Sequence, residues 1–158
     1  MEFELERKYL LERLPENLGD PVLIQQGYLY TDPFEFRVRK KGALCFMTYK
    51  SAGYEERVEW EREIPDWLYD ELITKRAGYL IVKNRYTVER DGHIFEIDEY
   101  LNEFDRSIIA EIEFMSRDEF DLFSPPVWLG QTREVTYDPD YKNKSFATKD
   151  RDGPKNAS

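Results

Sequence analysis

Apolar and charged side chains alternate along most of this chain with a period of two, the spacing of a strand that buries one face. Runs rich in Tyr, Phe, Val and Ile, broken by Gly and Pro, give candidate strands at 2–11, 22–31, 35–41, 43–50, 57–64, 79–90, 93–100 and 107–114. Asp91-Gly92 is the strongest hairpin signal, and Lys41-Gly42 suggests another tight turn. Asp66, after Pro65, is placed to cap a helix running to about Arg76, with Trp67, Leu68, Leu72 and Ile73 as its apolar stripe. Ser116 is placed to cap a short helical turn to Phe120, and Asp138-Pro139 opens a helical stretch reaching about Ala147. Residues 1–148 form one domain, and the polar tail 149–158 is expected to be loose.

The alternation also sorts the charges. On the first run Glu4, Glu6 and Lys8 share one face, backed by Phe3, Leu5, Tyr9 and Leu11. Pairing across Asp91-Gly92 sets Arg90 against His93, Thr87 against Glu96, Arg85 against Asp98 and Lys83 against Tyr100. Lys83, Arg85, Glu96 and Asp98 then share a face, with Val82, Tyr86, Val88, Phe95 and Ile97 on the other. Around the earlier turn Arg37, Arg39, Thr48 and Lys50 fall together, opposite Phe36, Val38, Cys45, Met47 and Tyr49. Glu59, Glu61 and Glu63 alternate with Trp60, Arg62 and Ile64, and Glu111 and Glu113 with Ile112 and Phe114. Bases dominate some strands and acids others, whereas a merely solvated face would mix signs with Ser and Thr. Convergent charge on a rigid sheet is what phosphate and metal recognition needs. Carboxylates suit Mg²⁺ or Mn²⁺, and ammonium and guanidinium groups suit phosphate. If the sheet closes, the charged faces line its lumen.

Composition narrows the classes. The 158 residues suffice for one domain with a real core, and 41% hydrophobic content argues for a globule. A net charge of −10 disfavours nonspecific nucleic-acid binding. Cys45 is the single cysteine, so neither an intrachain disulfide nor a cysteine zinc site is available. No apolar run reaches membrane-spanning length and no signal-peptide core is present, so a soluble cytoplasmic protein is expected. His93 beside the turn, Cys45 on the apolar face and the tryptophans Trp60, Trp67 and Trp128 are read as surface or packing residues. Glu59 and Glu99 are read as rim charges, and Lys142 and Lys144 as a solvated face or a reach toward a tunnel mouth.

The ordered series resembles the CYTH domain, the triphosphate tunnel metalloenzymes, over about Met1 to Ala147. It comprises Glu4-x-Glu6-x-Lys8, Gln26-Gly27-Tyr28-Leu29 with Asp32-Pro33, Arg37-Val38-Arg39, Lys50 and Glu59-Trp60-Glu61-Arg62-Glu63. It continues through Lys83-Asn84-Arg85-Tyr86, Glu96-Ile97-Asp98-Glu99, Glu111-Ile112-Glu113, Trp128-Leu129-Gly130 and Asp138-Pro139. The resemblance implies a β-dominated α+β fold: a closed eight-stranded antiparallel β-barrel tunnel, a few helices packed outside, and a C-terminal helix closing one end. It implies divalent-metal-dependent hydrolysis of a terminal phosphoanhydride, with inorganic tripolyphosphate as the leading substrate.

Carried over by position, Glu4, Glu6, Glu111, Glu113, Glu96 and Asp98 match metal-binding or further tunnel acids, for Mg²⁺ or Mn²⁺. Lys8, Arg37, Arg39, Lys50, Lys83 and Arg85 match the polyphosphate-holding bases. Lys8, Tyr28, Glu61 and Glu63 match groups that act on the reaction, Tyr28 by facing Lys8. The alternatives are an organic triphosphatase acting on ATP or thiamine triphosphate, a class IV-type adenylyl cyclase, or a noncatalytic polyphosphate- or nucleotide-binding module. The expected partner is a triphosphate-containing small molecule, with no nucleic acid and no membrane. Family members are often dimers, and apolar outer strands leave room for a homodimer.

Overall fold

The computed structural model describes residues 2–102 and 106–142, with side chains from Leu5 onward. Its strands are β1 (Glu2–Leu11), β2 (Val22–Tyr30), β3 (Glu35–Lys41), β4 (Leu44–Lys50), β5 (Glu56–Ile64), β6 (Ala77–Arg90), β7 (His93–Tyr100), β8 (Ile108–Glu113) and β9 (Thr132–Glu134). The helices are α1 (Asp66–Ile73) and α2 (Arg117–Leu122), with 3₁₀ turns at Val127–Leu129 and Pro139–Tyr141.

The antiparallel order β5-β4-β3-β2-β6-β7-β8-β1 closes because β1 also pairs with β5, giving the expected eight-stranded barrel, and β9 adds outside it. One strand serves three partners. Residues 2–5 of β1 pair with β5 and residues 6–11 with β8. Past the β5 contact, β9 takes the open edge at residues 9–11, and the Thr136 hydroxyl accepts from the Lys8 backbone N–H. The β6–β7 register is the one expected, with Arg85 opposite Asp98, Thr87 opposite Glu96 and Arg90 opposite His93.

Two apolar layers wrap the barrel. On one side α1 presses Leu68, Tyr69, Leu72 and Ile73 onto Val38, Cys45 and Ile64, the outward residues of β3, β4 and β5. On the other, Phe120 of α2 and Leu129 seal Tyr9, Phe95, Ile97, Ala110, Ile112 and Phe114. Arg7, outward on β1, fastens this side. Its guanidinium meets both Glu134 oxygens at 2.8 Å and donates to the carbonyls of Phe120 and Phe123.

Several expectations need correction. Asp66 does not cap α1; Pro65 holds that position in extended geometry, and Asp66 sits in the first turn, where its carboxylate accepts from the Cys45 thiol at 3.4 Å. Trp67 is 69% exposed, because the inward stripe runs through Leu68, Tyr69 and Leu72 instead. The β3–β4 turn is Gly42-Ala43, one residue later than expected, with Gly42 at φ +59. That displacement moves cross-strand partners by two positions, so every side chain keeps its face. The expected C-terminal helix is a 3₁₀ turn at Pro139–Tyr141; its remainder to Ala147 and the tail 149–158 lie outside the described residues. Lys142 is buried, its ammonium on the Gly53 carbonyl and over the Tyr54 ring, and Lys144 lies outside the described residues. His93 packs edge-on against Phe95, Phe114 and Phe123. Among the described residues no helix is long and apolar enough to cross a membrane.

Gly27 marks where α1 crosses β2. A Cβ there would meet Ile73 Cδ1 at 2.8 Å and Arg76 Cβ at 3.0 Å. Gly27→Val is expected to lower the unfolding free energy by about 2 kcal/mol by overpacking this crossing. A urea titration checks it, and an unchanged midpoint would mean that α1 is not seated as described.

Candidate active site

The inner face is built by the same alternation that makes the strands. β1 brings Glu6 and Lys8 inward; β3 brings Glu35, Arg37 and Arg39; β4 brings Thr48 and Lys50. β5 contributes Arg57, Glu59, Glu61 and Glu63, β6 Lys83 and Arg85, β7 Glu96 and Asp98, and β8 Glu111 and Glu113. A cavity of about 250 Å³ is lined by Arg37, Arg39, Lys41, Lys50, Glu59, Glu61, Arg85, Glu96, Glu111 and Glu113. A second, of about 300 Å³, opens beside it and is lined by Glu6, Glu96, Glu111, Glu113 and Glu119, among others. Toward the opposite end the lumen turns apolar: Tyr28, Ile81, Tyr100 and Ile109 pack together, with Leu10 and Tyr141 against them, and form a plug.

Of the buried lumen cations, Lys8, Arg39, Lys50, Arg57, Lys83 and Arg85 each meet an acid. Asp98 takes Arg85 through both oxygens, at 2.7 and 2.8 Å, and Lys83 at 2.8 Å. Arg85 also reaches Glu96 at 3.2 Å. Arg39 meets Glu61 at 3.0 Å, and the Thr48 hydroxyl donates to the same oxygen at 2.8 Å. Lys50 pairs with Glu59 at 3.2 Å. Lys8 lies 3.5 Å from Glu111 and 4.0 Å from Glu6.

Burial and pairing pull the titrations apart. Desolvation pushes Lys83 down to about 8 against the pull of Asp98. Arg39 is pushed down to about 10, first by burial and then by Arg37 and Arg85 beside it. Burial raises Asp98, but Arg85 and Lys83 outweigh it and hold the carboxyl well below its usual range. Glu111 is also held low; burial opposes this, and Lys8 is the chief cause. Burial raises Tyr28 to about 12, so its phenol is neutral at pH 7.

The expected substrate-holding bases Lys8, Arg37, Arg39, Lys50, Lys83 and Arg85 are all buried on the lumen side. The Tyr28 hydroxyl accepts from Arg37 at 3.4 Å, while Lys8 is engaged by Glu6 and Glu111. Glu63 is on the lumen face opposite Phe46, in an exposed position. The side chain of Glu4 lies outside the described residues, and its backbone pairs with Arg57.

Arg57 and Glu35 were not anticipated. Arg57 donates to Glu35 at 3.0 Å and Glu6 at 3.4 Å, all three buried. The signal was available: counting back two from Glu59 reaches Arg57, and from Arg37 reaches Glu35.

Glu6, Glu96, Glu111 and Glu113 present hard oxygen donors to one opening, the right chemistry for a small divalent cation. Among the described residues no three such side chains already surround a common point. Asp98, expected among these acids, has both oxygens taken by Arg85 and Lys83.

The chain is a closed antiparallel barrel whose lumen is lined by paired bases and acids, the architecture that the resemblance to triphosphate tunnel proteins implies. The solved inorganic triphosphatase NE1496 superposes with a TM-score of 0.70 at 36% identity, covering 94% of this chain and 97% of that one. A Hippeastrum protein, described as a putative adenylyl cyclase with a dominant triphosphatase activity, shares the fold with a TM-score of 0.54. It is 17% identical and covers 75% of this chain and 82% of that one. No family model matches the sequence. Two curated proteins named inorganic triphosphatase do. The one from Nitrosomonas europaea is 38% identical, with 91% of this chain and 96% of that protein covered. The one from Acetivibrio thermocellus is 35% identical, over 90% and 92% respectively. The chain belongs to the inorganic triphosphatase family.

The Asp98 pairing makes stability depend on pH. Its ordinary value is 3.8 and its folded value is lower, so it contributes stability that is present above 3.8 and lost as pH falls toward the folded value. Asp98→Asn is expected to cost about 3–5 kcal/mol at neutral pH, because it removes the shared carboxylate charge from two buried cations. It should also flatten the decline in unfolding free energy toward acid. Urea titrations near neutral pH and in acid, on both proteins, read both effects; parallel declines would remove Asp98 as the cause.

Proposed function

We propose that this protein hydrolyses the terminal phosphoanhydride of inorganic tripolyphosphate, releasing pyrophosphate and phosphate, with Mg²⁺ or Mn²⁺. The observation that carries this reading is the run of buried bases along a narrow lumen, among them Arg37, Arg39, Lys50 and Arg85, which line one cavity. The apolar plug at the far end favours an inorganic chain over a substrate whose organic part must leave through that end.

In this reading Lys8, Arg37, Arg39, Lys50, Lys83 and Arg85 neutralise the polyanion and hold it in line. Phosphoryl transfer needs positioning and charge compensation more than covalent help from the protein. Arg37 is steadied by the neutral Tyr28 phenol, and Arg85 and Lys83 by Asp98. Glu4, Glu6, Glu111 and Glu113, with Glu96 beside them, would hold the divalent ion. The ion supplies Lewis-acid polarisation of phosphoryl oxygens and further neutralisation of charge. Glu61, held by the Thr48 hydroxyl, and Glu63 orient the attacking water. The new bond joins water oxygen to the terminal phosphorus, and the bridging P–O bond breaks. Pyrophosphate leaves with that electron pair, and the water proton passes to a carboxylate or to phosphate. Lys8, poised between Glu6 and Glu111, faces the developing charge.

Phosphate release from tripolyphosphate and from ATP, side by side with Mg²⁺, Mn²⁺ and chelator, tests the proposal. Release that favours tripolyphosphate and stops with chelator is expected. A preference for ATP would reassign the substrate, and binding without release would make the chain a polyphosphate-binding module. Glu6→Gln is expected to raise the metal concentration for half-maximal rate about tenfold or more, as loss of a charged ligand should. A normal metal titration in that variant counts against the ligand role.

A further inference from the structure

Gln26 lies on β2 between Ile24 and Tyr28. Gly27 beside it faces out under α1, so Gln26 faces the lumen, in register with Arg39 on β3 and Ile81 on β6. It is 0% exposed, and neither Nε2 nor Oε1 has a hydrogen-bond partner among the described residues. The Nε groups of Arg37 and Arg39, on the adjoining strand, likewise have none.

A buried amide with both ends unmade is destabilising, and folded proteins carry few of them. A methionine or leucine would fill the same space without that penalty. Three unmet donor groups thus lie on two adjacent strands, with Gln26 in register with Arg39 and Arg37 two positions away. Arg39 lines the cavity, and Gln26 is its cross-strand neighbour on β2.

We propose that Gln26 is a further substrate-binding residue. Its Nε2 donates to a non-bridging phosphate oxygen held by Arg37 and Arg39, and is uncovered when Arg39 turns from Glu61 to the substrate. The amide adds a donor without adding charge, in a lumen whose cations already repel one another. This assignment rests on the triphosphatase reading above.

Calorimetric titration of tripolyphosphate in chelator reads binding without turnover, and thermal midpoints read stability. Gln26→Met is expected to melt at or above the wild-type temperature and to bind tripolyphosphate about tenfold more weakly, the loss of one hydrogen bond to a charged group. Gln26→Glu, which keeps the shape and loses the donor, should bind at least as weakly; it decides the matter if the methionine variant does not fold. Wild-type affinity in either folded variant would overturn the proposal. A wild-type protein that neither binds nor cleaves tripolyphosphate would overturn the triphosphatase reading itself. Cleavage that is intact in the wild type and in both variants would overturn Gln26 alone.

Discussion

Lys83, Arg85 and Asp98 meet inside the barrel with almost no access to water. Taking such ions out of solvent costs several kcal/mol each unless they find partners in good geometry. Asp98 provides that geometry, with a bidentate hold on Arg85 and a short contact to Lys83. Elsewhere in the lumen the same requirement is met strand by strand, with Arg39 on Glu61, Lys50 on Glu59 and Arg57 on Glu35. The interior is stable because these bases reach acids on other strands, and it can bind because some of those pairs can be exchanged for a ligand's charges.

That exchange explains why the acids are not equivalent. Glu61 and Glu96 are partly open to solvent and can release their arginines. Asp98 is sealed and doubly engaged, so it acts as a fixed counter-ion that keeps Lys83 and Arg85 aimed inward. Glu6 stands between, shared by Arg57 and Lys8 and next to the acid-lined opening.

The strands and their faces were legible because period two is the plainest signal a sheet leaves. Asp91-Gly92 fixed one register to the residue, and a turn misplaced by one near Gly42 did no harm, since faces depend only on parity. What escaped notice was local or short. β9 has three residues, too few for alternation to show. Trp67 looked apolar enough for the stripe of α1, but helix phase set Tyr69 inward and left Trp67 out. Arg57 and Glu35 are harder to read because each sits one step beyond a conspicuous charge run. Gln26 is silent in the sequence, since a neutral side chain carries no charge pattern to follow.

The division of β1 among β5, β8 and β9 has a consequence for how the protein is made. β2 to β7 pair mostly with near neighbours in sequence and can assemble as the ribosome releases them, apart from the longer β2–β6 link. β1 emerges first yet gains its lower-edge partners only when residues 108–134 have been synthesised. Glu6 and Lys8 are therefore translated before the other lumen strands and are among the last to be placed. Closure by such distant pairing is the slow step expected of a high-contact-order sheet. Until it happens, the open edges of the nascent barrel are the chain's exposure to misassembly.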